Sequence, residues 1–273
     1  MMEYCVICKS NNVTILDKEK NCMICKNCDV VYKKNPPDYR NRFENNQIKK
    51  ESKLIKLTAI VIKRFWKIVS DQYINYLQTY TNLNFSNALD VGAGYGHFVK
   101  SLCNHQIDAY GLEADTNFIK KSIIPNKIKH GYFDETYKSS KKFDLISFTS
   151  MIFYLQDPIS VLVNAKKMLN DEGIIFVSTY NPSSSMIHKN ILPELIESGV
   201  TMMLSKKNFE QLEDIGLKLI NYSTYEPHIY IDRINGNGNA LSEAKIYFKY
   251  HIKKSYSPRG DGHIAFLLLK SIN

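Results

Sequence analysis

Apolar residues follow two different periods along this 273-residue chain. Between 54 and 80 they recur every three or four places, at Leu54, Leu57, Val61, Phe65, Ile68 or Val69, Tyr73 and Leu77, with no internal proline or glycine. That spacing lays one apolar stripe along a helix and predicts a long amphipathic helix, with Ser70 and Asp71 as the point where a break would fall. From 87 onward short apolar runs alternate with helical patterns. "ALDV" reads as a buried strand, and "GHFVKSLCNH" puts Phe98, Val99, Leu102 and Cys103 on one helical face. "IDAYGLEAD" is a second strand ending in acid, "NKIKHGYF" a third and "FDLISFT" a fourth; "DPISVLVNAKKMLN" is a helix opening at Pro158, and "GIIFVSTYN" a fifth strand. "SKKNFEQLEDIG" follows as a capped helix stopped by Gly216, then the strands "LKLINYSTY" and "GHIAFLLLKS". Alternation of this kind implies right-handed crossovers and a mainly parallel sheet covered by helices, an α/β fold.

The first residues are patterned otherwise: "CVIC", a polar stretch, "CKNC", then "DVVYKKNPPDYR" closed by two prolines. The pattern divides the chain into a small module over 1–45, a charged linker and the amphipathic helix over 46–82, and the α/β domain over 83–273. Within that domain, 226–261 has no clear period and reads as an irregular insertion.

Composition narrows the setting. With 44% hydrophobic residues the chain can bury a sizeable core. No window approaches the roughly 18 to 20 uncharged apolar residues of a membrane span, and "MMEYCVICKS" lacks the layout of a signal peptide, so a cytoplasmic location is expected. The net charge of +9 comes mostly from lysines in pairs spread over many segments. Such a distribution reads as a solvated surface more than a polyanion groove. It stays compatible with a small-molecule substrate that is nucleotide-linked or otherwise anionic, and it leaves RNA as an alternative partner.

Five of the six cysteines lie within the first 28 residues. Cys5-x-x-Cys8 and Cys25-x-x-Cys28, sixteen residues apart, have the layout of a zinc ribbon in which two knuckles give four thiolates to Zn²⁺. Cys22 could replace one ligand, but "CKNC" is the better knuckle because a strand follows it. Four thiolates leave no open position for water, so the metal is expected to be structural. Cys103 lies on a helix face and is expected to pack there.

The densest signal is "NALDVGAGYGHFV" at 87–99, where Gly92, Gly94 and Gly96 alternate behind a strand although the whole chain has only 12 glycines. A dinucleotide fingerprint would place the third glycine one position later, and a phosphate loop would need a following Lys-Ser or Lys-Thr. Asp90, just before the glycines, suits a cationic or hydroxyl-bearing ligand. Together with "YGLEAD" and "FDLISF", this segment resembles the class I S-adenosylmethionine-dependent methyltransferases over about 85–225. The resemblance implies a Rossmann-like, seven-stranded, mostly parallel sheet and S-adenosyl-L-methionine as cofactor. It implies that the turn of Asp90, Gly92, Gly94 and Gly96 passes under the cofactor and that Glu113 takes the ribose hydroxyls. Tyr132 and Phe133, with Asp134 nearby, would flank the adenine, and Thr149 and Ser150 would border the methionine end.

Many relatives carry Glu-His where this chain has Phe153 and Tyr154, so the usual histidine is missing. Tyr154 and His188 are the candidate catalytic residues, with His228 and His263 as further histidines to place. A zinc module ahead of a methyltransferase domain is similar to a bacterial group that modifies sugars and other small metabolites, and to certain ribosomal RNA methyltransferases. The expected function is O-methylation of a small, anionic metabolite or sugar derivative. The alternatives are an RNA methyltransferase gripping its substrate with the ribbon, and a cofactor-binding partner protein without turnover.

Overall fold

The computed structural model describes residues 4–36, 53–185, 187, 199–227, 256–258 and 261–272. Its centre is a sheet built on β4 (Asn87–Val91), β5 (Asp108–Glu113), β6 (Ile128–His130), β7 (Phe143–Thr149), β8 (Leu169–Tyr180), β10 (Leu217–Pro227), β11 (Tyr256–Pro258) and β12 (Ile264–Ser271). The strand order is β11-β10-β12-β8-β7-β4-β5-β6. The five strands from β8 to β6 run parallel, while β12, β10 and β11 are joined antiparallel. Seven of these strands make the expected mostly parallel sheet. The eighth, β11, is a three-residue edge strand that comes from the segment read as irregular.

Helices cover both faces, as parallel strands joined by crossovers require. On one face, α1 (Lys53–Thr81) and α2 (His97–Asn104) pack Val69, Tyr73, Ile74, Leu77, Phe98 and Leu102 against Phe176, Phe266 and Leu268. α1 runs without the break expected near Ser70: the Ser70 hydroxyl donates to the Trp66 carbonyl at 2.8 Å, so the polar side chain is satisfied inside the helix. On the other face lie Val161, Leu162 and Ala165 of α4 (Pro158–Lys167), which Pro158 and the Asp157 cap start as expected. The short α3 (Thr116–Lys120) follows β5, and α5 (Lys206–Glu210) continues as a 3-10 turn to Ile215, ended by Gly216 at φ 79°.

The N-terminal module is a small antiparallel sheet of β1 (Val13–Asp17), β2 (Cys22–Cys25) and β3 (Val31–Lys33). It does not stand alone. β9 (Met202–Met203), from the far half of the chain, pairs with β3 as its fourth strand, and the buried side chains of ribbon and α/β domain form one continuous cluster. Met23, Ile24 and Val31 are buried within that shared cluster, and a ribbon this short is too small to build a core of its own.

Candidate functional site

The order of the parallel strands reverses at β4: the chain steps outward through β5 and β6, then crosses back to β7 on the other side. A crevice opens outside the carboxyl ends of the strands at such a switch point. Here it is a cavity of about 420 Å³ bounded by the ends of β4, β5 and β7 and by one side of α1.

The glycine turn forms its floor. Gly92 and Ala93 donate their backbone N–H groups to the Leu112 carbonyl at 2.8 and 3.1 Å, which ties the turn to β5. Gly92 has φ +72°, and a Cβ there would sit 2.8 Å from Cγ of Met151. Gly94, at φ +54°, has open space where its Cβ would be, on the cavity side. Close backbone approach by a ligand therefore has a geometric basis at Gly94. Gly96 serves the scaffold instead: it begins α2 at φ 79°, and a Cβ would strike Ile124 and Ser122.

Two carboxylates face this floor. Asp90 is 1% exposed; its Oδ1 accepts from Ser147 at 2.7 Å and Thr149 at 3.3 Å, while Oδ2 has no hydrogen-bond partner. Burial pushes its carboxyl up to about 7, against the pull of the Ser147 and Thr149 hydroxyls. An unpartnered buried oxygen that borders a cavity is a site for a cationic or donor group of a ligand. Glu113 spans the next strand end. Its Oε2 accepts from Gly94 N–H at 2.7 Å and its Oε1 from Asp115 N–H at 2.8 Å. Burial raises its carboxyl above the usual range, and the backbone donors act against that shift. A carboxylate has about four acceptor positions, so these backbone donors leave acceptor capacity for a ligand hydroxyl.

The remaining sequence-predicted positions divide. Tyr132, Phe133, Thr149 and Tyr154 line the cavity, with Phe133 held by stacking on Tyr137 at 4.8 Å between ring centroids. Asp134 is absent from the lining; its Oδ1 caps the next turn by accepting from the N–H and hydroxyl of Thr136. His188 and His228 lie outside the described residues, and His263 is wholly buried at the head of β12, away from the cavity lining. The sequence reading missed Trp66, Ser70 and Tyr73, which α1 brings to the cavity wall. Tyr73 stood in the apolar stripe, but its hydroxyl lies 3.2 Å from the Ser150 hydroxyl and accepts from Ser178 at 3.1 Å. A tyrosine placed on a buried stripe beside a glycine-rich strand end was the signal available.

A second constellation lies in the ribbon. The sulfurs of Cys5, Cys8, Cys25 and Cys28 all lie within 4.8 Å of one another, with Cys5 to Cys28 at 3.7 Å and Cys8 to Cys25 at 3.6 Å. Four thiolates about 2.3 Å from one Zn²⁺ in a tetrahedron would stand about 3.8 Å apart, so the donor set fits that ion. Cys22 is a bystander in β2, its thiol pushed up to about 11 by burial. At Cys8 burial also acts upward, but the N–H of Ser10, the neighbouring thiols and the Asn27 amide outweigh it and lower the thiol to about 7.

Comparison with known proteins agrees with this fold. The family described as "Methyltransferase domain" matches residues 63–222, more than half of the chain. The chain belongs to that family, and its fold is that of the class I methyltransferases. A ubiquinone biosynthesis O-methyltransferase of Haemophilus ducreyi is 28% identical over 120 residues, 39% of this chain and 51% of that protein. The chain thus spans about half the length of that curated relative. One of the same name from Marinobacter nauticus is 24% identical over 213 residues, covering 67% of this chain and 89% of the relative. Among solved structures, an S-adenosylmethionine-dependent methyltransferase from Clostridium acetobutylicum superposes with a TM-score of 0.53 at 12% identity, covering 81% of this chain and 100% of the other. At that identity the likeness speaks for the fold alone.

Proposed function

We propose that this protein transfers the methyl group of S-adenosyl-L-methionine to a hydroxyl oxygen of a small molecule. The observation that carries the proposal is the pair of buried carboxylates around Gly94: Asp90, with a free oxygen at the cavity, and Glu113, with lone pairs to spare. Asp90, Gly92, Gly94, Glu113, Tyr132, Phe133 and Thr149 hold the cofactor, which when bound supplies an electrophilic methyl group for in-line displacement. The chain's own residues then have to orient the acceptor and shut out water. Trp66, Tyr73, Met151, Tyr154 and Leu155 form the wall left for the acceptor. Tyr154 replaces the histidine of many relatives and serves as the hydrogen-bonding partner of the acceptor hydroxyl.

Names of the curated relatives support oxygen as the acceptor atom. Among the described residues no Lys or Arg lines the cavity, whereas aromatic faces and hydroxyls do. The wall therefore supports a hydroxyl-bearing ring, a sugar derivative included, better than an anionic group. The ribbon is read as a structural zinc site held by Cys5, Cys8, Cys25 and Cys28, and reduced thiolates of this kind fit the cytoplasm. Among the described residues no helix is long and apolar enough to cross a membrane. Calorimetric titration with S-adenosylhomocysteine tests the cofactor assignment. Binding at one site per chain, lost in Asp90→Ala, is expected; absence of binding in the folded, zinc-loaded protein refutes it.

A further inference from the structure

The segment that joins the ribbon to the α/β domain touches both constellations. At one end, the Ser205 hydroxyl donates to the Cys28 carbonyl at 2.6 Å, and Ser205 and Asn208 cap α5 reciprocally. Asn208 is wholly buried, and its Oδ1 accepts from the Ser205 N–H at 2.9 Å. The bond from Ser205 to Cys28 fixes the backbone of the second cysteine knuckle from outside the ribbon, an outer contact of the kind that positions metal ligands. At the other end, Thr201 is 4% exposed and donates from its N–H to the Phe153 carbonyl at 2.8 Å. Its hydroxyl is shared between the carbonyls of Phe153 at 3.0 Å and Leu155 at 2.7 Å. The Thr201 carbonyl accepts from Lys33 N–H of β3 at 2.8 Å, and Gln156 reaches the Pro36 carbonyl at 3.1 Å. The 3-10 turn Ile152–Tyr154, from which Tyr154 lines the cavity, is therefore tied through Thr201 to the strand that pairs with the ribbon, as well as to its own sheet, where Phe153 packs on Tyr180 at 4.5 Å.

We propose that the segment 201–208 couples the cysteine site to the acceptor wall, with Thr201 as the positioning residue that holds the 151–155 turn, and hence Tyr154, in place when the ribbon is metal-loaded. The coupling is reciprocal: whatever loosens the turn weakens metal retention, and loss of metal frees the turn. The backbone amides of the cofactor floor are anchored elsewhere, on the Leu112 carbonyl and the Glu113 carboxylate. The inference rests on the reading of the ribbon as a zinc site but not on the identity of the methyl acceptor.

Hydrogen exchange read by mass spectrometry on the full-length protein, zinc-loaded and after removal of the metal by a chelator, tests it. On metal removal, protection is expected to fall about tenfold or more at the amides of Tyr154, Leu155 and Thr201, with the amides of Gly92 and Ala93 unchanged and S-adenosylhomocysteine still bound. Thr201→Val in the zinc-loaded protein is expected to loosen the same three-residue set and to speed zinc release to a colorimetric chelator severalfold, while Thr201→Ser restores both. Failure of the zinc-loaded wild type to hold one metal per chain, an unchanged turn on metal removal, or an equal loss of protection at Gly92 and Ala93 overturns the proposal. Failure of S-adenosylhomocysteine to bind the zinc-loaded wild type would instead count against the cofactor reading, so the two failures are distinct.

Discussion

Acidification should weaken binding of S-adenosylmethionine, and Asp90 should be the reason. Its carboxyl is buried, lacks a partner at Oδ2, and is raised from 3.8 to about 7. A shift of about three units corresponds to a preference of about 4 kcal/mol for the protonated form within the folded cavity. For stability the sign is a loss: the folded pKa lies above the unfolded one, so the penalty for ionising Asp90 is absent below about pH 4, grows as pH rises, and is complete above about pH 7. For a ligand that brings a cationic group to Oδ2 the sign reverses, because the ionised form is the one that binds. The association constant then follows the ionised fraction of the free protein. That fraction is about one half at pH 7 and about one thirtieth at pH 5.5, a fall of about fifteenfold in affinity. The window lies below the titration of the ligand's own amino group, at about 7.7 to 8.0. Isothermal titration across it, on wild type and on Asp90→Asn, separates the protein's contribution from the ligand's. A flat wild-type affinity, or the same step retained in Asp90→Asn, would refute the reasoning.

Other perturbations carry equally definite outcomes. Glu113→Ala leaves the Gly94 and Asp115 amides without their carboxylate, at about 1–3 kcal/mol for each stranded group, and is expected to abolish cofactor binding in the same titration; unchanged affinity would remove Glu113 from the site. Gly92→Ala forces a Cβ into Met151 at positive φ, and a loss of about 1–3 kcal/mol should appear as a lower urea midpoint. Tyr73→Phe keeps the edge contacts with Phe98, Phe176 and Phe266 but removes the hydroxyl shared with Ser150 and Ser178. It should lower stability by about 1 kcal/mol in urea titration while leaving S-adenosylhomocysteine affinity within about twofold.

What the sequence made legible was local. Glycines at φ +72° and +54°, an acid ending β5, and four cysteines in two knuckles each carry their chemistry within a few residues, and those features lie where the pattern put them. The pairing of Met202 and Met203 with β3 had no such signal, because two apolar residues in a loop look the same whether they meet a distant strand or fill a local gap. β8 begins earlier than expected, at Leu169 inside the run read as a helix, since pairing with Phe143 carries the strand through the exposed Asp171 and Glu172. The amphipathic stripe of α1 announced burial but not what it would bury against, so Tyr73 read as a core residue rather than as part of a cavity wall, and Trp66, off the stripe, carried no signal. Asp134 and Gly96 show the converse. Their places in the motif pointed to the cofactor, whereas in the structure the first caps a turn and the second makes room for Ile124.

The most direct test of methyl transfer is to incubate the zinc-loaded protein with methyl-labelled S-adenosylmethionine and, separately, the small-metabolite and total-RNA fractions of a cell extract. Label recovered in a hydroxyl-bearing metabolite, with stoichiometric S-adenosylhomocysteine and none formed by Glu113→Ala, is the predicted result. Label in the RNA fraction alone, or bound cofactor with no label transferred to either fraction, would contradict the account.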